Sequence, residues 1–320
     1  MKRTLVAAVA LVTFMDYYSF SFEPPGPKER LRAIGPTKGL AENMRRALDP
    51  GGDFEPVPDP KPGDWLAEHR ELGQSFEKFL ESKPNRPEEA RSTLYIQPLG
   101  EFPKKRSPSL KRLKEFAGIF FGTETDLLKP SDLKKTGITT RDNPHAGARQ
   151  LLTGDVLAFL RGRLPEKAFA VVAVTMEDLY PGPDWNFVFG QASLQHRVGV
   201  FSFVRYVPAF YGLKRGKDSE KVLLRRSLKV LVHETAHMFG LKHCVFFRCV
   251  INGSNHLAES DSRPIHLCPV CLRKLQHSAG FDVAERYRKL GKFYERAGFQ
   301  DEAGWVGGRL RKIEGGKKPD

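Results

Sequence analysis

Residues 233–243 place three histidines and one glutamate at the spacing of a metal-dependent hydrolase. His233 and His237 are one helical turn apart, so on an α-helix their ring nitrogens lie on one face and can reach the same ion. Glu234 is rotated by about 100° from His233 around the helix axis, which puts its carboxylate beside the ion without binding it. A pair of histidines on a helix is often only a solvated polar face, so these residues alone do not establish a metal site.

The turn after this helix supplies the deciding residues. Gly240 can take a left-handed backbone conformation at low cost, which ends the helix and brings His243 back as a third ligand. Three protein ligands leave a fourth position open for water, which is typical of a catalytic zinc site. Zinc lowers the pKa of such a water from about 15.7 to about 7, and a neighbouring carboxylate can take its proton. The motif therefore predicts a zinc-dependent hydrolase with Glu234 as the catalytic base and three ligands: His233, His237 and His243.

A second metal site is predicted next to the first. The chain has four cysteines, and all of them closely follow the histidine motif: Cys244, Cys249, Cys268 and Cys271. The last two have the spacing of a zinc knuckle, and four thiolates complete a tetrahedron with no open position, so this zinc would be structural. Because Cys244 directly follows His243, and neighbouring side chains in an extended segment point in opposite directions, we expect two separate ions. Two disulfides or four buried free thiols are the alternatives.

Together these residues resemble the archaemetzincin family of metallopeptidases. The similarity extends through residues 174–180, 185–206 and 253–257, and it covers about residues 92–283. The resemblance implies a metzincin-like fold, a catalytic zinc on the three histidines, Glu234 as general base and a structural zinc on the four cysteines. It also implies peptide or protein substrates, and aminopeptidase-type activity is attributed to animal members of the family.

The sequence departs from the family pattern at one position. Metzincins place a methionine in a turn beneath the zinc ligands, and the corresponding position, two residues after Cys249, is Ile251. Isoleucine keeps an apolar floor but lacks the flexible, polarisable thioether. We expect this difference to affect the packing of the histidines more than metal binding itself.

The length of 320 residues and the 40% apolar content are those of a globular protein with one large or two modest domains. We divide the chain into an apolar N-terminal segment, a Pro/Gly-rich extension, a catalytic domain that includes the cysteine module at 244–271, and C-terminal helices with a basic tail: 1–22, 23–91, 92–280 and 281–320. Lys2 and Arg3 precede an apolar run at 5–15, which is the layout of a secretory signal. A four-thiolate zinc site is more typical of a reducing compartment. The sequence leaves open a cytoplasmic or an exported protein, and only this first segment could associate with a membrane.

Hydrophobic periodicity predicts an α/β (α+β) fold in which helices pack on one twisted mixed sheet and present an active-site helix. The predicted strands lie at 93–97, 125–128, 168–176, 187–194 and 198–203. The predicted helices lie at 39–48, 65–82, 109–121, up to Arg161 with Thr153 as N-cap, 221–240, 283–297 and 301–313. Residues 23–65 are predicted to be linker and extended wrapping apart from the first of these helices. On the active-site helix we expect Val222 to be buried, and Arg225, Arg226 and Lys229 to face water.

The strand at 187–194 is predicted to be an edge strand over the cleft. The family resemblance suggests residues 190–192 as the rim that binds an extended peptide through backbone hydrogen bonds. An ordinary edge strand is the alternative, and we expect proline at Gln191 to distinguish the two by raising KM.

Other candidate residues lack a motif position. An aminopeptidase needs a carboxylate or a similar group for the free amine of its substrate, and the acidic residues before the edge strand are candidates: Glu177, Asp178 and Asp184. A tyrosine could donate to the oxyanion of the tetrahedral intermediate or be purely structural, and Tyr206 and Tyr211 precede the active-site helix. His256 could support a metal ligand, whereas His266 is interpreted as a satisfied polar or surface residue.

A formal net charge of +14 is compatible with three kinds of partner: an acidic peptide, an anionic membrane and nucleic acid. The basic clusters are dispersed and interleaved with acidic residues, which favours a solvated surface, and no RNP-like aromatic motif is present. We therefore expect a monomeric peptidase that acts on peptides or proteins. The alternatives are an inactive, zinc-stabilised binding protein of protease ancestry and a nucleic-acid-binding protein that uses the cysteine module.

Overall fold

The computed structural model describes residues 22–193 and 195–316. Nearly all of the signal-like segment at 1–22 and the last four residues of the basic tail lie outside the described residues. The strands are β1 (Thr93–Leu99), β2 (Thr125–Leu127), β3 (Thr140–Asp142), β4 (Arg149–Leu152), β5 (Ala168–Thr175), β6 (Asp178–Tyr180), β7 (Gly190–Ser193) and β8 (Val198–Ser202). The helices are α1 (Pro27–Ile34), α2 (Glu42–Leu48), α3 (Trp65–Glu68), α4 (Phe76–Glu81), α5 (Leu110–Phe121), α6 (Thr153–Arg161), α7 (Ser219–Met238), α8 (Leu257–Asp261), α9 (Pro269–Ala279), α10 (Val283–Ala297) and α11 (Gln300–Glu314).

A mixed sheet with the strand order β2-β1-β5-β8-β7 forms the centre of the fold. Its first four strands are parallel, and β7 runs antiparallel to β8 at the edge. Every residue of β5 is buried, as its unbroken apolar sequence predicts for a strand covered on both faces. The α/β class and the edge position of β7 are confirmed, although the strand is shorter than predicted. A smaller sheet joins β3, β4 and β6.

The two faces of the central sheet pack against different helices. On β5, Ala170, Val172 and Val174 point into the larger core, whereas Val171 and Ala173 point into a second core. This alternation follows the two-residue repeat of a strand. Helices α5 and α7 cover the first face, and α6 packs against β5, β7 and β8. The larger core therefore holds α7 directly against the edge of the sheet that carries β7.

The active-site helix α7 ends as its sequence predicts. Gly240 has φ +84°, the amide of Gly240 donates to the His237 carbonyl, and the amide of Leu241 donates to the Ala236 carbonyl. Two predictions about this helix are wrong. Val222 is 39% exposed, and Lys229 is only 5% exposed because the segment around α8 covers this side of the helix and offers backbone carbonyls to the ammonium group.

The N-terminal extension also departs from the predictions. Residues 23–65 are not a simple linker, because α1 and α2 pack apolar side chains into the larger core. The single helix predicted over 65–82 is two short helices, because Gly73 has φ +67° between them and Ser75 caps the second by accepting from the Lys78 amide. Residues 69–75 thus form a loop without helix or strand that lies against the histidine motif.

The remaining predicted helices agree with the predicted bounds except at their ends. Thr153 is the first residue of α6 and not its N-cap, and its hydroxyl bonds to the Tyr180 carbonyl. Helix α10 has the predicted bounds, and α11 is one residue longer at each end than predicted. Across residues 22–193 and 195–316, none of the helices has the length and apolarity required to cross a membrane.

Candidate metal centre

The three histidines of the motif converge on one point. His233 and His237 lie on successive turns at the end of α7, and His243 follows the turn at Gly240. One ring nitrogen from each of them lies within 4.8 Å of the others. The Nε2 atoms of His233 and His237 are 3.2 Å apart, a separation that suits two nitrogens facing a shared cation or proton. The donor set of three imidazoles fits zinc.

Each of these imidazoles is oriented by an acceptor on the opposite side of its ring. The Nδ1 atom of His233 lies 2.9 Å from the Val250 carbonyl oxygen, and that of His237 lies 2.6 Å from the Leu241 carbonyl oxygen. A proton on Nδ1 leaves the Nε2 lone pair free for a metal. Burial, followed by the charge of His243, lowers the pKa of His237 to about 4. Burial also lowers the pKa of His233, so His233 and His237 are neutral at physiological pH, as metal ligands must be.

The third imidazole is held by a residue that sequence reasoning missed. The Nδ1 atom of His243 lies 2.8 Å from Oε1 of Glu71, and the indole Nε1 of Trp65 donates to the same oxygen over 3.0 Å. The Trp65 ring stands edge-on to His243 with 5.0 Å between centroids. The spacing of residues in the sequence does not link Glu71 to the histidine motif. The helix predicted over 65–82 also did not predict that the Glu71 carboxylate would lie near His243.

Glu234 projects into a cleft of about 460 Å³ that also contains the three histidines. Burial raises the pKa of its carboxyl to about 8, and none of the described residues donates a hydrogen bond to it. A side chain at Gly190 would place its Cβ 3.1 Å from Cδ of Glu234 and 2.9 Å from Cβ of Phe201. Glycine at this position therefore lets the edge strand β7 approach the carboxylate closely.

The two tyrosine candidates lie in different places. Tyr206 lines the cleft beside Glu234, and burial, together with the charge of Glu234, raises the pKa of its hydroxyl. Tyr211 is 50% exposed and does not line the cleft. Of the two, Tyr206 is therefore the one that a substrate in the cleft could contact.

The structure does not bring the candidate amine-binding carboxylates to the cleft. Asp178 is buried in β6, where Arg205 pairs with it over 2.7 Å. Glu177 pairs with Arg149 over 2.8 Å, and Asp184 is exposed. Among the described residues that line the cleft, Glu234 is the one acidic side chain.

The four cysteines form a second buried cluster. Their sulfur atoms lie within 4.8 Å of one another, and all four are free thiols. The sulfurs of Cys244 and Cys268 are 3.5 Å apart, whereas a disulfide bond measures about 2.05 Å, so the disulfide alternative does not hold. The amides of Ile251 and Cys268 point at the sulfur of Cys249 over 3.5 Å and 3.3 Å. Four buried sulfurs with backbone donors around them fit a structural zinc.

One loop joins the cysteine cluster to the histidine cluster. Between Cys244 and Cys249 the chain is tied by Asn252, whose side chain donates to the Cys244 carbonyl and accepts from the Cys249 amide, each over 2.7 Å. The residue after Cys249 is Val250, whose carbonyl holds His233. Ile251, at the position of the metzincin methionine, is fully buried. The conformation of the loop between the cysteines therefore sets the position of the Val250 carbonyl, which orients His233.

The two remaining histidine candidates serve other purposes. His256 caps α8 by accepting from the Glu259 amide, and its other ring nitrogen lies 3.0 Å from Asp64. It does not contact any of the three converging histidines. His266 is stacked on Trp305 with 3.6 Å between ring centroids, which agrees with its interpretation as a satisfied residue away from the metal.

Comparisons with known proteins found similar sequences and a solved structure with a related sequence. The family model described as Peptidase family M54 matches residues 163–277, which include both clusters. Archaemetzincin-2 of Macaca fascicularis is 41% identical over 281 residues, with 79% of this chain and 78% of that protein covered. Archaemetzincin-1 of Homo sapiens is 32% identical over 254 residues, with 71% and 51% covered. The crystal structure of an archaemetzincin from Methanopyrus kandleri is 29% identical and covers 61% of this chain and 99% of that one, with a TM-score of 0.48.

Proposed function

The chain belongs to the archaemetzincin family and is a zinc metallopeptidase, and from this premise we propose how its residues divide the work of peptide hydrolysis. His233, His237 and His243 hold the catalytic zinc, and Glu234 is the general base. The observation that carries this proposal is the convergence of three imidazoles whose Nδ1 sides are each occupied by an acceptor. Zinc bound there would polarise the carbonyl of the cleaved bond and lower the pKa of water.

Glu234 moves the proton in this proposal. Its carboxylate accepts a proton from the water that adds to the carbonyl carbon, and it returns the proton to the nitrogen that leaves when the C–N bond breaks. Its position supports this role, because Glu234 follows His233 on α7 and lines the same cleft as the three histidines. Tyr206 also lines the cleft, and in this proposal its hydroxyl donates to the developing oxyanion.

The edge strand β7 is proposed to bind the substrate in extended form. The amide of Ser202 donates to the Phe189 carbonyl over 2.9 Å, so this pair is hydrogen-bonded. Bonded and non-bonded pairs alternate along an antiparallel ladder, which makes Gln191 and Val200 the next bonded pair. The backbone groups of Gly190 and Ala192 therefore point away from β8, toward the open edge where a peptide would lie.

The same proposal includes a second, structural zinc on Cys244, Cys249, Cys268 and Cys271, which makes two ions per chain. The support is the burial of all four thiols and the backbone donors that face the sulfur of Cys249. This ion would hold the loop that presents the Val250 carbonyl to His233.

The position of cleavage is a separate question. Aminopeptidase action, which the family resemblance suggests, requires a group that holds the free amine of the substrate. Glu234 is the one acidic side chain on the described cleft walls, and it is assigned to proton transfer. Internal cleavage needs no further carboxylate, so this observation favours it over removal of single N-terminal residues.

The test is cleavage of a mixed peptide library followed by mass spectrometry, with zinc content measured in parallel. The zinc-loaded protein and Glu220→Ala, an exposed glutamate on the same helix, are expected to cleave, whereas Glu234→Ala is expected to retain both zinc ions and lose cleavage. The ends of the products distinguish trimming from internal cleavage. If the protein with both ions bound cleaves none of the peptides, an inactive binding protein becomes the better explanation.

A further inference from the structure

Lys229 is the first residue of α7 that lines the catalytic cleft, and it marks one end of the wall that this helix contributes. It lies on α7 one helical turn before His233, or about 6 Å along the helix axis, and it lines the same cleft as the three histidines. Its side chain is nevertheless 5% exposed. A charged group in such a place is costly unless it has a partner or a function.

The ammonium group of Lys229 has neutral partners only. It donates to the carbonyl oxygen of Ser260 and, over 2.7 Å, to that of Arg263. An ammonium group has three donors, so one hydrogen remains. Two carbonyls do not neutralise a charge, and within residues 22–193 and 195–316 no carboxylate lies within ion-pair distance of this lysine.

The acidic groups that influence Lys229 are already engaged. Asp261 pairs with Arg226 over 2.6 Å, and Glu302 pairs with Arg225. Burial, followed by the charge of Arg225, lowers the pKa of Lys229 to about 7. The surroundings thus destabilise the charged form of Lys229, and a carboxylate supplied by a ligand would stabilise it.

The cleft lining that follows Lys229 is polar. The guanidinium of Arg263 also lines the cleft, but Glu259 pairs with it over 2.5 Å and the Asn252 carbonyl accepts from it. Arg263 is therefore already engaged, and Lys229 is the basic side chain with a hydrogen left to donate. Ser254 and Asn255 line the same region, which can accommodate polar atoms of a ligand.

We propose that this end of the cleft is a carboxylate-binding subsite in which Lys229 pairs with a carboxylate of the peptide substrate. The proposal deepens the peptidase function proposed above and rests on it. Two sources supply such a group: an Asp or Glu side chain that flanks the cleaved bond, and the C-terminal carboxylate of a short peptide. The subsite makes the preferred substrates acidic near the cleaved bond, in keeping with the overall positive charge of the protein.

The test measures binding of matched peptides to the zinc-loaded protein in a Glu234→Gln background, which keeps the peptides intact. One pair of peptides differs in Glu against Gln beside the central bond, and the other pair in a free against an amidated C-terminus. We expect one carboxylate-bearing form to bind about tenfold to a hundredfold more tightly than its neutral match. The pair that shows the difference identifies the source of the carboxylate.

Three further substitutions in the Glu234→Gln protein test whether Lys229 causes the difference in peptide affinity. Lys229→Met, which removes the charge at similar length, is expected to bring the ratio of dissociation constants close to one. Lys229→Arg keeps the charge and should retain most of the preference. Lys221→Met removes an exposed lysine from the same helix and should retain all of it.

Two results overturn the subsite. The first is equal binding of charged and neutral peptides before Lys229 is changed, which decides the matter even if Lys229→Met does not fold. The second is a preference that survives in Lys229→Met, which would mean that the carboxylate binds the zinc ion and that Lys229 only fastens the segment around α8. Absence of cleavage by the parent protein, with the preference intact, would contradict the proposed function and support the subsite.

Discussion

Oε1 of Glu71 lies 2.8 Å from Nδ1 of His243, although 172 residues separate them along the chain. The contact brings the N-terminal extension to the third histidine of the metal centre. Gln74 extends the attachment, because its side chain donates to the Gly240 carbonyl and accepts from the Lys242 amide. The turn that returns His243 toward the helix is therefore held from outside, by residues that precede the segment matching the peptidase family.

Removal of the charge at Glu71 is expected to weaken zinc binding at the catalytic site. A carboxylate behind a histidine ligand fixes the orientation of the ring and raises its basicity, and loss of such a partner costs about tenfold to a hundredfold in metal affinity. Competition with a chromophoric chelator measures the dissociation constant of Glu71→Gln, with Glu68→Gln, an exposed glutamate of the same segment, as the matched control. Equal affinities for the two variants would show that the contact is only structural.

The contact between Glu71 and His243 shows which parts of the fold a local sequence pattern can predict and which it cannot. The helix α7, the buried strand β5 and the helix α10 were predicted because a local apolar repeat determines each of them. The histidine and cysteine clusters were predicted because metal ligands have characteristic spacings. Glu71 and Lys229 were not, because their positions depend on which distant segment covers them. A loop at 69–75 and a covering segment near α8 leave no periodic signal in the sequence.

Peptide binding along the edge strand β7 is tested better by a proline at Ala192 than by one at Gln191. Proline at Gln191 was expected to raise KM, but the Gln191 amide faces β8, so this change should remove a ladder hydrogen bond and destabilise the fold by about 1–3 kcal/mol. Ala192→Pro instead removes an amide that points to the open edge, where proline is tolerated. We expect Ala192→Pro to raise KM about tenfold, as the loss of one hydrogen bond to a substrate predicts, with zinc content and melting temperature nearly unchanged.

Steady-state kinetics and thermal melting of the two proline variants decide this assignment. A KM for Ala192→Pro equal to that of the parent would show that the peptide does not lie along β7. A melting temperature for Gln191→Pro equal to that of the parent would show that the ladder register inferred from Ser202 and Phe189 is wrong.

Loss of the cysteine cluster is expected to disturb the catalytic site as well. In Cys249→Ser the thiolate that faces the amides of Ile251 and Cys268 is missing, so the structural zinc should be lost or weakly bound. Because the next residue, Val250, holds His233, we expect the affinity of the remaining site for zinc to fall as well. Elemental analysis and chelator competition measure the two effects.

Thiol reactivity provides the control for this prediction in the unchanged protein. The four thiols are buried and should react slowly with a thiol reagent until a chelator removes zinc, after which all four should react quickly. Fast reaction before the chelator is added would contradict a bound metal. A Cys249→Ser protein that loses the structural zinc but binds the catalytic zinc with parental affinity would show that the two clusters are energetically independent. One that keeps both ions with parental affinities would show that Cys249 is not a zinc ligand.

His266 should make the folded state sensitive to acid. Burial, followed by the charges of Arg309 and Arg248, lowers the pKa of His266 to about 3, whereas an unperturbed histidine titrates near 6.5. Between these values the unfolded chain binds a proton that the folded chain does not, so stability is complete above about pH 6.5 and falls as the pH decreases toward 3. The slope for this one group is about 1.4 kcal/mol per pH unit.

The change His266→Phe isolates this contribution, because phenylalanine can keep the stacking on Trp305 and does not titrate. Zinc ligands also take up protons in acid, and this background is common to both proteins. We therefore expect the difference in unfolding free energy between His266→Phe and the parent to grow in favour of the variant as the pH falls from 6.5 to 4.5, measured by urea denaturation at fixed zinc concentration. A difference that stays constant over this range would show that His266 is protonated in the folded state, contrary to its buried position against Trp305.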